Sequence, residues 1–88
     1  MANGTGWQTS DLRLGAYLRT IGFKITEVKK EARNVMFTFE DQDKRKMEIA
    51  KFYNKEARVE PLGFMASMGE MRDMITMAER GASIGSGG

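Results

Sequence analysis

Apolar and polar positions alternate most cleanly between Asn34 and Glu40, where Val35, Phe37 and Phe39 point one way and Met36, Thr38 and Glu40 the other. That period is the spacing of a strand with one packed and one wetter face. Phe23–Glu31 reads as the strand before it, joined by a short turn around Ala32 and Arg33. Phe23 and Ile25 begin in phase and Val28 falls out of phase, so a bulge near Thr26–Glu27 is expected to restore the alternation. Ahead of this hairpin the pattern changes to that of a helix. Leu14, Tyr17, Leu18 and Ile21 share one face, with Leu12 and Ala16 nearly opposite. Thr9-Ser10-Asp11 is a helix start, with a hydroxyl cap and with Asp11 in the first turn to complement the helix dipole. Gly22 suits the residue after the helix, at positive φ.

After the hairpin, Asp41–Asp43 can turn the chain into a second helix, Lys44 to Asn54. Its expected inner face is Ile49, Phe52 and Tyr53, and its outer face Lys44, Glu48, Lys51 and Lys55. Ala57-Arg58-Val59 is a short extended piece and a candidate third strand. Pro61 suits the first position of a third helix running to about Arg80, with Glu60 a poor cap and Gly81 the stop. The pattern therefore predicts an α+β fold: a single small domain of order α-β-β-α-(β)-α, its antiparallel hairpin packed against helices. Residues 1–8 are expected to be a disordered N-terminal segment, Trp7 excepted, whose indole can fold back over one edge of the core. Residues 9–80 form the domain, and 81–88 a flexible Gly/Ser tail. The expected core is Leu14, Leu18, Phe23, Ile25, Val35, Phe37, Phe39, Ile49, Phe52, Phe64, Met68 and Ile75.

Composition mainly removes possibilities. The 88 residues include no histidine and no cysteine, which excludes imidazole acid–base chemistry, thiol nucleophiles, redox pairs and the usual zinc ligand sets. Fourteen basic against 12 acidic residues leave a net charge of +2. The sequence pI of about 9.1 follows from that small excess in a chain without histidine to buffer the neutral range. It is only a slight pointer to nucleic acid. Met1–Trp7 has no apolar core of the signal-peptide kind, no apolar run is long enough to span a bilayer, and the lack of cysteine fits a reducing compartment. A cytoplasmic protein is the expectation.

Three blocks carry a resemblance. They are Thr9-Ser10-Asp11-Leu12-Arg13-Leu14-Gly15-Ala16-Tyr17-Leu18 followed by Gly22-Phe23-Lys24, then Val35-Met36-Phe37-Thr38-Phe39-Glu40-Asp41, then Phe52-Tyr53-Asn54-Lys55-Glu56-Ala57-Arg58-Val59-Glu60-Pro61. Together they resemble a small uncharacterised family of prokaryotic and phage proteins, Domain of unknown function 5659, from roughly Trp7 to the middle of the last helix. The resemblance implies an independent small α/β domain, often in mobile-element contexts, and brings no assigned activity, ligand or catalytic residue. Glu60 departs from the family's tendency to place Asp before the proline, and the last helix is unusually rich in methionine.

The methionines form the first candidate site. Phe64, Met68, Met71, Ile75 and Ala78 fall within about 40° of one line on the third helix, an ordinary core stripe. Met65 and Met74 lie on opposite flanks and Met77 on the far side. Methionine fills gaps in small cores, and adaptable exposed methionine also marks partner-binding faces. Met65, Met74 and Met77 are therefore the candidate partner interface, for a protein partner or for self-association. The second candidate is basic: Lys29, Lys30 and Arg33 around the hairpin turn, and Lys44, Lys51, Lys55 and Arg58 on and beyond the second helix. Such an array can contact phosphates. Yet Glu31, Glu48 and Glu56 are interleaved, Lys44 and Glu48 form an i,i+4 pair, and no exposed aromatic pair for base stacking stands out. A solvated charged surface explains the same residues.

Enzyme chemistry has little to stand on. Glu27-Val28-Lys29 has the acid-x-lysine spacing of metal-dependent nuclease hairpins but lacks the Asp on a neighbouring strand that such sites need. Glu40, Asp41 and Asp43 miss the calcium-loop pattern, with Arg45 at the fifth position, and Gly85-Ser86-Gly87-Gly88 lacks the lysine of a phosphate loop. No catalytic, cofactor-binding or metal-binding residue is expected. The leading expectation is a small non-enzymatic interaction or regulatory module. The alternative is a weak nucleic-acid-binding accessory protein of phage or mobile-element origin, followed by a metal-dependent nuclease.

Overall fold

Thr9 and Asp11 start the first helix together: the Thr9 hydroxyl accepts the Asp11 N–H at 3.1 Å, and Asp11 Oδ1 accepts the Leu14 N–H at 3.1 Å. Asp11, rather than a hydroxyl residue, is thus the cap. In the computed structural model, which describes residues 6–81 and 84–85, helix α1 runs Leu12–Thr20. Gly22 follows it at φ 109°, as its type predicts. The chain then enters β2, Ile25–Glu31, turns through Ala32 at φ 54°, and returns as β3, Asn34–Glu40. The register of the pair shifts between Ile25 and Glu27, the expected bulge, and brings Val28 opposite Phe37 on the packed face.

The ends of the chain correct the sequence reading. Gly6–Thr9, placed largely outside the folding unit by its small polar composition, forms strand β1, antiparallel to β3 with Trp7 opposite Phe39 and Thr9 opposite Phe37. Ile84–Gly85, assigned to a flexible tail, forms a two-residue strand β4 against Glu27 and Val28 of β2. In both cases backbone pairing to a sheet edge supplies what composition does not show. The expectations for residues 1–5, 82–83 and 86–88 lie outside the described residues. The sheet order is β1-β3-β2-β4. Since β1 and β2 both run antiparallel to β3, they are parallel to each other, and α1 carries the chain across β3 between them: a split β-α-β arrangement.

The fold is α+β, with the helices on one face of the sheet. Phe37, Phe39, Leu14, Leu18, Met71 and Val28 are the largest fully buried side chains, each contributing roughly 1.5–3 kcal/mol through burial. Gly15 lets α1 approach α3 closely; a Cβ there would stand 2.5 Å from Met71 Cε. Helix α2 spans Arg45–Tyr53 and has no fully buried residue. Ile49 and Phe52 pack on the core as expected, but Tyr53 is exposed and Glu48 turns inward, reversing their assigned faces. Ala57–Val59 forms no strand; Ala57 and Val59 pack against the core from an irregular linker. Helix α3 spans Pro61–Glu79. Glu60 caps it effectively, its carboxylate accepting the N–H groups of Leu62 at 3.0 Å and Gly63 at 2.6 Å. The longer side chain reaches the donors an Asp would serve.

Candidate interaction surfaces

Helix α3 docks its stripe of Ser67, Met71 and Ala78 on α1 and the sheet, with Phe64, Met68, Met74 and Ile75 filling the margins. Met74 therefore belongs to the core margin, whereas Met65 and Met77 are 67% and 46% exposed. These two do not form one patch. Twelve residues separate them, which is about 18 Å along the helix and roughly 120° around it. Met65 instead neighbours Leu62, the most exposed large apolar side chain at 73%. Exposed Ala66 and Gly69 extend this surface, and no charged residue occurs from Pro61 to Gly69. The methionine pattern does not single out Leu62; the uncharged run on an outer face is the sequence signal that marks it.

The basic residues are divided. Lys29 pairs across the sheet with Met36, on the face away from the helices, while its neighbour Lys30 pairs with Val35, on the helix side. Arg33 is exposed in the turn. Lys44 lies at the other end of the hairpin, about 20 Å along β3, with its Nζ 5.6 Å from the Phe23 ring centroid. Lys51 Nζ stands 3.9 Å from Glu48 Oε2. Lys55, at φ 63°, and Arg58 are exposed near the α2–α3 linker. The expected Lys44–Glu48 pair is replaced by a contact to the core: Tyr17 donates its hydroxyl hydrogen to Glu48 Oε1 at 2.5 Å. Burial first, then this hydrogen bond and the nearby carboxylate charge, push the Tyr17 hydroxyl up to about 12.

The candidate enzymatic groups stay apart. Glu27 lies on the open sheet face opposite Thr38, and Asp11 is committed to its cap. Asp41 accepts Arg45 Nε at 2.7 Å, a contact that holds its carboxyl below the usual range. Among the described residues no three acidic side chains gather as a metal site would require.

Two open clefts flank the α1–α3 contact. One, of about 610 Å³, is bordered by Thr20, Phe23, Lys24, Gly63 and Ser67. Four of its polar side chains pair with one another, in the Arg19–Glu70 ion pair at 2.9 Å and the Thr20–Ser67 hydrogen bond at 3.0 Å. The other, of about 550 Å³, lies among the start of α1, the end of α2 and the middle of α3. Leu12, Phe52 and Met68 form its apolar lining, with Arg13, Arg72 and Tyr53 around them. Tyr53 is 61% exposed, its ring set edge-on to Phe52 with centroids 5.4 Å apart.

No helix among the described residues is long and apolar enough to cross a membrane. No curated protein and no solved structure matches the chain. The model of one family, Domain of unknown function (DUF5659), matches residues 5–77, from the segment that enters β1 almost to the end of α3. Every helix and the three long strands lie wholly or almost wholly within that span, and on this match the chain belongs to that family.

Proposed function

We propose that this protein is a small non-enzymatic interaction module that docks through the outer face of α3, and that its occupant is a second copy of the chain. The observation carrying this reading is the uncharged stretch Pro61–Gly69, which presents Leu62 and Met65 to solvent on a helix already fully anchored by its opposite face. Leaving such apolar area in water is unfavourable, and covering it is the simplest use for it. An uncharged face has no charge to match in a foreign partner and none to repel its own copy. Ala66 and Gly69 add little bulk to it, so two such helices can approach closely. A regulatory role in the cytoplasm fits this reading, since a chain without cysteine suits a reducing compartment.

Sedimentation equilibrium from micromolar to millimolar protein tests it. The mass should rise toward a dimer, and the double variant Leu62→Glu, Met65→Glu should stay monomeric while matching the wild-type melting temperature at low concentration, where both are monomers. A wild-type monomer at millimolar concentration overturns self-association.

A further inference from the structure

We infer that the cleft between α1, α2 and α3 is a binding site for a nucleotide unit, an aromatic base joined to a phosphate. It is a different surface from the outer face of α3 and does not depend on that reading. Tyr53 sits on the last turn of α2 with its ring mostly in water. It stands roughly perpendicular to the Phe52 ring, and its exposed surface is a platform on which a planar base can stack. Arg13 from α1 and Arg72 from α3 border the same cleft. Neither forms an ion pair among the described residues, whereas Arg19 and Arg45 each hold a carboxylate. Asp11 is the acid lining the cleft, and its Oδ1 is engaged by the Leu14 N–H.

Two uncommitted guanidiniums beside an exposed ring over an apolar lining of Leu12, Phe52 and Met68 match both halves of a nucleotide. The planar forks suit phosphate oxygens, and the lining accepts the base. The volume, about 550 Å³, lies within the ordinary range of small-ligand sites. The cleft is open, so a unit of a single strand can enter as readily as a free nucleotide. A duplex keeps its bases stacked inside and cannot present one to Tyr53. The arrangement thus differs in residues and in substrate form from the scattered lysines suggested by the sequence.

The test is fluorescence anisotropy of the full-length protein with a labelled oligothymidylate at low salt, alongside NMR titration with adenosine monophosphate. Saturable binding of the single strand is expected, with a matched duplex binding distinctly more weakly. Tyr53→Ala should weaken binding by about tenfold or more, while Tyr53→Phe, which keeps the ring, should bind as wild type. Arg13→Gln with Arg72→Gln should reduce the slope of log K against log salt by about 1. The variants lie on exposed positions, and unchanged amide spectra outside the cleft will show that they remain folded. Monophosphate shifts confined to the cleft, without tighter binding of the oligomer, would assign the site to free nucleotides. No saturable binding by either probe overturns the inference. So does binding that ignores Tyr53→Ala and the arginine pair, or equal displacement by polyglutamate, which would make the cleft a general acidic-peptide site.

Discussion

Phe37 makes the strongest residue-level claim. It is fully buried, opposite both Thr9 of β1 and Val28 of β2, and Phe37→Ala should destabilise the domain by about 3–5 kcal/mol in urea unfolding. Tyr17 offers a chemical readout. Folding raises its pKa from the ordinary 10.0 to about 12, so the protonated hydroxyl is favoured by folding. The associated stability is complete below pH 10.0 and is lost as pH rises toward about 12. Tyr17→Phe should lower stability at neutral pH by roughly 1–3 kcal/mol and flatten the loss across that alkaline window, as denaturant midpoints at several pH values will show. At this scale the strand residues were legible because alternation states directly which side chains are inside. Glu48 was not: a charged residue three positions from Lys51 reads as a surface group until the hydroxyl of Tyr17, 31 residues away in the chain, is brought to it.

Elements follow the same division. The bulge in β2, the turn at Ala32 and the glycine stop at Gly22 are local requirements and could be read locally. The strands β1 and β4 exist because β3 and β2 offer unpaired edges, a property of the assembled sheet that small polar residues do not announce. The cap of α3 makes a measurable element-level case. Glu60→Ala removes the acceptor for two backbone N–H groups and should cost about 0.5–2 kcal/mol, whereas a hydrogen-bonding substitute such as Glu60→Asp should recover most of it. Thermal melts of the two variants check this, and Glu60→Asn, which keeps an acceptor without the charge, separates capping from charge. The site was less legible than the fold. Met77, expected on the far side of the helix, is exposed; of the two flanking methionines Met65 is exposed and Met74 packs inward, a difference that the symmetric spacing does not show, and Tyr53, Arg13 and Arg72 come together only through the crossing of three helices.

The whole molecule rests on one sheet face and three helices, and its single tryptophan lies where the N-terminal strand closes that layer. Trp7 is half-buried opposite Phe39, with the Arg45 guanidinium 5.2 Å from its ring centroid. Trp7→Ala should therefore destabilise the entire domain, by about 2 kcal/mol, rather than loosen one end. In the wild type, indole emission and far-ultraviolet circular dichroism should lose signal in one shared transition. Two separate transitions would mean that β1 is an accessory to the fold and not part of it.

The position of β1 also has a consequence for biosynthesis. Gly6 meets Glu40 and Thr9 meets Phe37, so the first strand made is matched to the third. On the ribosome it must wait, unmatched, until the hairpin has emerged from the exit tunnel. The first strand of the domain thus finds its partner before the last helix emerges, and a translational pause before Phe37 would leave an adhesive ribbon exposed to its neighbours.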